Sequence, residues 1–221
     1  SLFLPSPPNP PQPPSNPPSI TAVKDPHLNL AYGGKADFRG ENSTLYNLFS
    51  YPDLSVNTMI EHSNFKLKNA TIHGSFFTQC HIITKTTKKN FFNISLWGIK
   101  IGQSNVIWAN MTCGDNYWKI GGNSKRVCHN IRVFSNYSSL HVFSETWTVH
   151  AFLNDVKNRI KGPKKRIDIH ITPRKNDFCM PHGLIGQSYT CNRIPRFGET
   201  DIYPENGEYT TKSWAKGAID G

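Results

Sequence analysis

No run of about eighteen apolar residues occurs in the chain, so no membrane-spanning helix is expected. No stretch sustains a 3.6-residue apolar period, which argues against a helical bundle. Paired C-x-x-C knuckles are missing, so neither a structural zinc site nor any other metal or cofactor is expected. The Gly186-Gln187-Ser188-Tyr189-Thr190 segment lacks the last glycine of a G-x-S-x-G nucleophile elbow, and Gly33-Gly34-Lys35 continues into Ala36 rather than a P-loop Ser or Thr. Asp168 and His170 share a strand face but have no nucleophile beside them in sequence. Cys179 and His182 offer two metal ligands with no second pair at matching spacing. The nine histidines are scattered. No catalytic residue is assigned, and an enzyme is not expected. No Met opens the chain, and Ser1 reads as a processed or trimmed start.

What is abundant lies first at the N-terminus, where nine of the first eighteen residues are proline. Proline fixes φ and removes the N–H, so this segment is neither helix nor central strand. Its Pro7-Pro8-Asn9, Pro10-Pro11-Gln12, Pro13-Pro14-Ser15 repeat matches the three-residue turn of polyproline II. Asn9, Gln12 and Ser15 then form one polar edge, and the other two edges are proline. At about 3.1 Å per residue the arm reaches roughly 55 Å. Such a rod exposes few hydrogen-bond donors and is most easily held in a groove of another molecule or another copy. Pro7, Pro8, Pro10, Pro11, Pro13 and Pro14 are its assembly residues. The expected organisation is an arm over residues 1–19, a β-domain over 20–205 and a tail over 206–221, with one short helical turn around Trp214.

Five cysteines are present. Cys113–Cys128 and Cys179–Cys191 are the favoured bridges because each closes a short polar loop, with Cys80 a buried free thiol in an apolar run. The competing reading leaves all five reduced. Five N-x-S/T sequons start at Asn42, Asn69, Asn93, Asn110 and Asn136. None falls in the proline arm or the basic segment, and most border strand-like sequence, where a glycan stands outward. Bridges and sequons together point to secretion.

The remainder reads as β. Thr44 to Ser50 and Ser55 to His62 flank a Pro52-Asp53 turn, and Val56, Thr58 and Ile60 alternate with Asn57, Met59 and Glu61. Thr71 to Thr84 and Phe91 to Ile101 form a hairpin, with Phe92, Ile94 and Leu96 on one face and Asn93, Ser95 and Trp97 on the other. Asn105 to Thr112 is a strand, Gly114 to Arg126 a loop, and Val127 to Phe134 and Leu140 to Phe152 single strands. In the last, His141, Phe143, Glu145, Trp147 and Val149 share a face. Asp155 to Lys161 and Arg166 to Thr172 flank Gly162-Pro163 as a hairpin. The fold class is all-β, a β-sandwich or related stacked-sheet domain with an N-terminal polyproline II arm.

Asp25-Pro26-His27-Leu28, then Gly33 to Glu41 and Tyr46-Asn47-Leu48, resembles the opening of the von Willebrand factor type D β-domain. Pro181-His182-Gly183-Leu184-Ile185-Gly186-Gln187 resembles that family's closing G-L-C-G-N motif. It is more similar still to the H-G-L-L-G-Q found in the C-terminal domains of inter-alpha-trypsin inhibitor heavy chains. The two motifs bracket one domain from about Asp25 to Tyr203. The resemblance implies an extracellular, glycosylated, disulfide-bearing β-sandwich of polymers, mucus or matrix. The aspartate that helps hold calcium in the family falls at Tyr32, its closing asparagine at Gln187 and its cysteine at Ile185. The arm separately resembles the hydroxyproline-rich stretches of extensins and pherophorins, which implies an algal wall or flagellar-hair (mastigoneme) component.

Lys and Arg number 25 against 15 Asp and Glu, a net charge of +10. The excess clusters at Lys157, Arg159, Lys161, Lys164, Lys165 and Arg166, and continues to Arg174 and Lys175. Such a patch attracts polyanions. Acidic polysaccharide or an acidic neighbouring subunit suits it; nucleic acid does not, because the aromatics follow core-like alternation. The expectation is a secreted structural glycoprotein of the extracellular surface or matrix that self-assembles, its arm docking on a neighbouring copy. The alternative is a carbohydrate-binding adhesin or surface recognition module using the basic segment 157–175.

Overall fold

Short apolar alternations broken by Gly, Asn and Pro turns build strands. A computed structural model of the protein describes residues 18–23, 26–101, 104–175 and 181–198. The arm prolines, Cys179 and the tail around Trp214 lie outside the described residues. In sequence order the strands are β1 (Ile20–Val23), β2 (His27–Asn29), β3 (Lys35–Asp37), β4 (Thr44–Tyr51), β5 (Leu54–Leu67), β6 (Ala70–Lys85), β7 (Phe91–Ile101) and β8 (Ser104–Cys113). They continue as β9 (Asn116–Gly121), β10 (Ser124–Cys128), β11 (Ile131–Ser135), β12 (Ser139–Phe143), β13 (Trp147–Asp155), β14 (Arg159–Lys161) and β15 (Lys165–Pro173). No α-helix occurs among the described residues.

The strands form two antiparallel sheets. An eight-stranded sheet runs β10-β11-β12-β13-β15-β1-β2-β3. A seven-stranded sheet runs β14-β5-β6-β7-β8-β9, with β4 also paired to β5. Between them Val149, Ala151, Leu153, Ile167, Ile169 and Ile171 meet Val56, Ile82, Ile94, Leu96, Ile107 and Ala109, all buried. Each large aliphatic side chain so buried contributes about 1.5–3 kcal/mol. The all-β sandwich expectation holds, as does the Phe92/Ile94/Leu96 core face of β7.

Four local readings change. Gly114 to Arg126 is not a loop but β9 and most of β10, which Gly122 separates. Val127 to Phe134 is two strands, parted where His129 takes φ 54°. Leu140 to Phe152 is also two, because Ser144 turns the backbone: its Oγ accepts from Trp147 N at 2.9 Å. Trp147 therefore faces the core and His141 the outside. Asp155 to Lys161 does not pair with Arg166 to Thr172; β15 pairs with β13, and β14 joins the other sheet.

The bracketing motifs meet in space. Leu184 N donates to Asn47 O and Ile185 N to Leu48 O, each at 2.9 Å, so the closing segment lies along β4. A Cβ on Gly183 would sit 2.7 Å from Phe49 N, and φ there is +102°; only glycine suits that approach. The predicted polar face of β5 is consequently enclosed at Asn57, while Met59 and Glu61 stay half-buried. Asn57 is fully buried and accepts from Asn47 Nδ2 at 2.7 Å, while Ser50 Oγ donates to Asn47 Oδ1 at 3.0 Å. Trp147 packs against Phe49, Tyr51 and Tyr189 beside this junction, and Tyr189 donates to Pro18 O.

Cys113 and Cys128 are bridged, Cys80 is buried and free, and Cys191 is disulfide-bonded. Burial pushes the Cys80 thiol pKa up. The Cys113–Cys128 bridge joins residues 15 apart, the end of β8 to the end of β10. A loop of that size corresponds to about 3 kcal/mol. The Cys113→Ser/Cys128→Ser double variant is expected to lose about that much stability in denaturant unfolding; an unchanged midpoint would show the bridge to be energetically idle.

The outer face of the eight-stranded sheet carries half-buried His141, His150 and His170 in one cross-strand row. Burial, then the charges of His141 and His170, lowers the pKa of His150 to about 3. Burial also lowers that of His170, opposed by Asp168, and that of His141. On β6, burial alone takes His81 down to about 4. These imidazoles bind protons more tightly in the unfolded state, whose pKa is about 6.5. Their contribution is intact above about pH 6.5 and is lost as pH falls toward 4 and then 3. Melting temperature should therefore drop between pH 7 and pH 4, less steeply in His150→Asn. Equal slopes in parent and variant would refute the assignment.

Candidate functional site

The β13–β15 pair runs from Trp147↔Pro173 to Asp155↔Lys165. Beyond that end the backbone does not turn tightly. It crosses to the other sheet, where β14 pairs with β5 at Arg159↔Phe65 and Lys161↔Asn64. Lys66 N donates to Asn158 O at 2.9 Å and Ser63 Oγ to Lys161 O at 3.1 Å, fastening the crossing. Gly162 makes it possible: its φ is +106°, and a Cβ there would lie 2.4 Å from His62 O.

This crossing walls a cleft of about 740 Å³, lined by Glu61, Thr78, Gln79, Trp97, Gly98, Asp155, Pro163, Lys164 and Lys165. A second lobe of about 540 Å³ is lined by Asn42, Ser43, Glu61, His62, Asn64, Lys161, Gly162 and Pro163. Glu61 and Pro163 line both, so the two lobes adjoin at the crossing and together make the candidate groove. Its floor owes its shape to a β-bulge. Met59 pairs with Gln79 and Ile60 with Phe77, leaving Thr78 as the extra residue of β6. Bulges re-aim side chains beside functional clefts. Thr78 Oγ1 is buried and has no hydrogen-bond partner among the described residues. Trp97 is half-exposed on the polar side of β7, where alternation placed it.

Two of the six cations of the basic cluster are paired within the fold. Lys165 pairs with Asp155, and Arg166 Nε meets Asp168 Oδ1 at 3.1 Å. Asn154 Nδ2 occupies the other Asp168 oxygen at 2.6 Å, so Asp168 is tied on both sides. Lys157, Arg159, Lys161 and Lys164 are exposed. Lys164 and Lys161 border the groove, one in each lobe. The groove thus offers an indole face, an amide, carboxylates and two exposed ammonium groups.

Among the sequon asparagines, Asn42, Asn69, Asn93 and Asn136 are exposed, and Asn110 is half-buried on β8. Asn42 lines the second lobe, and its Oδ1 accepts from His62 N at 2.7 Å. A glycan on Nδ2 would leave that bond in place and stand at the lobe's mouth. Cys113, Cys128 and His129 cluster closely, but the two sulfurs are bonded to each other and are not thiolate ligands. His182 bridges to Ser50 through its backbone; Cys179 lies outside the described residues. Sequence reasoning singled out the basic residues and the outward side of Trp97. Glu61, Gln79 and Asp155 escaped it, because only the bulge and the crossing bring them together.

Comparison of the sequence and structure with protein-family models, curated proteins and solved structures gives no match.

Gly162→Ala is expected to cost about 1–3 kcal/mol through strain and the clash with β5. Hydrogen exchange should locate the damage at Lys66 and Val156, whose amides bond across the crossing. Unchanged protection at both would show that the crossing does not depend on the glycine.

Proposed function

We infer that this is a non-catalytic extracellular glycoprotein of a wall or matrix that holds an acidic polysaccharide in the groove beside the sheet crossing. The observation that carries the reading is the meeting of Trp97, Gln79, Glu61 and Lys164 in one cleft. Aromatic walls with a few convergent polar groups suit a small polar ligand. An indole accepts the C–H face of a pyranose, and Gln79 and Glu61 exchange hydrogen bonds with its hydroxyls. Lys164 and Lys161 pair with carboxylate or sulfate groups spaced along the polysaccharide, supported by the net charge of +10. The bridged cysteines and the absence of a long apolar helix among the described residues are compatible with secretion.

A second reading is self-association, with the proline arm docking on a neighbouring copy in a wall or flagellar-hair filament. The ring-rich outer face of the eight-stranded sheet favours it, since aromatic surfaces accept polyproline II segments. The motifs similar to von Willebrand factor type D and to hydroxyproline-rich wall proteins support an extracellular structural role for either reading.

Calorimetric titration with oligogalacturonate and with a sulfated oligosaccharide tests the groove. Trp97→Ala and Lys164→Ala should each weaken binding by about tenfold or more, equivalent to 1.4 kcal/mol. Lys157→Ala, outside both lobes, should change it little, and affinity should fall with added salt. No binding of either polyanion, or equal losses in all three variants, would sink the reading.

A further inference from the structure

We propose that the outer face of the eight-stranded sheet is the seat of this protein's own proline-rich segment, residues 1–17. The register lines up His170, His150, His141 and Phe134 across β15, β13, β12 and β11. Phe152 and Phe143 flank that row. The rings touch in a continuous strip: His141 and His150 lie 3.4 Å apart between centroids, His150 and Phe152 3.5 Å, and Phe134 and Phe143 5.7 Å. Every one of them is half-buried, on the side of the sheet facing away from the sandwich core.

The occupant follows from complementarity. Polyproline II presents ring C–H groups and backbone carbonyls, with few N–H donors. The strip presents aromatic faces with donors at its edge. Lys125 Nζ sits 5.3 Å from the Phe134 ring and Arg132 Cζ 5.9 Å from that of Phe143. The nearby carboxylate, Asp168, is already held by Arg166 and Asn154, so it does not compete for the donors. Aromatic-lined surfaces with such donors are the standard receptors for proline-rich segments.

Length and position agree. The strip crosses three strand spacings of about 4.8 Å, roughly 14 Å. That is about five residues of polyproline II at about 3.1 Å each, the length of Pro10 to Pro14. The segment enters the fold beside the strip, where Ser19 Oγ lies 3.0 Å from Thr172 Oγ1, and Thr172 is two residues from His170 on β15.

The inference is independent of the polysaccharide groove. It supplies the assembly reading with an acceptor only if the segment comes from another copy. The test uses the full-length protein with the photo-cross-linker benzoylphenylalanine in place of Phe152, and in place of exposed Tyr117 on the other sheet as a control. Peptide mapping should find cross-links from position 152 to residues 1–17 and none from 117. Products at monomer mass mean a segment folded back on its own domain; products at dimer mass mean a segment from a second copy. Both support the seat, and the first refutes docking on a neighbour. Replacing Pro10, Pro11, Pro13 and Pro14 with serine should reduce the yield at 152 to the control level. Cross-links mapping elsewhere, none at all, or a yield unaffected by the four serines would overturn the proposal.

Discussion

The antiparallel register between β13 and β15 governs most of the molecule. It spans nine residues on each strand. Strand alternation over that length sends Val149, Ala151, Leu153, Ile167, Ile169 and Ile171 inward and His150, Phe152 and His170 outward. A slip of one residue would exchange the two sets and place imidazoles in the core. The Asp155–Lys165 end of the same pair releases the backbone toward the other sheet. One register therefore sets the core, the aromatic outer strip and the wall of the groove.

Closure of the domain depends on backbone contact between distant segments. The 181–190 segment lies along β4, with Gly183 against Phe49 and Asn47. Burying amides and hydroxyls is unfavourable unless they are bonded. Here Asn47, Asn57, Ser50 and Ser55 bond one another inside the sandwich. Such a network favours one placement of the closing segment over slipped alternatives. Trp147 and Tyr189 pack beside it, joining the eight-stranded sheet to the residues that close the fold.

Charge is divided by the fold. Ion pairs hold Lys165 to the exposed Asp155 and Arg166 to the buried Asp168. Their effect is to remove those cations from the ligand-facing set. Lys161 and Lys164 remain at the groove, on a segment fixed by β5. In the function proposed here, a positive rim over polar and aromatic walls would favour a polymer bearing both hydroxyls and anionic groups. The aromatic strip lies on the opposite sheet and has different chemistry, so the two proposed sites do not overlap.

The order of amino acids alone determined the elements whose signal is local. Alternation marked β4 to β8 and the core face of β7, Pro52-Asp53 marked a turn, and short spacing joined Cys113 to Cys128. The split of Leu140 to Phe152 was hidden because Ser144-Glu145-Thr146 carries no glycine or proline, and the turn is made by a side-chain hydroxyl. Gly162-Pro163 announced a turn but not its partner. The crossing of β14 to β5 depends on the reach of a strand pair that ends at Asp155, which periodicity does not encode. The burial of Asn57 and the meeting of Trp97 with Lys164 were likewise settled by tertiary packing. Both arise where segments far apart in sequence cover or bend a strand whose local pattern stays the same.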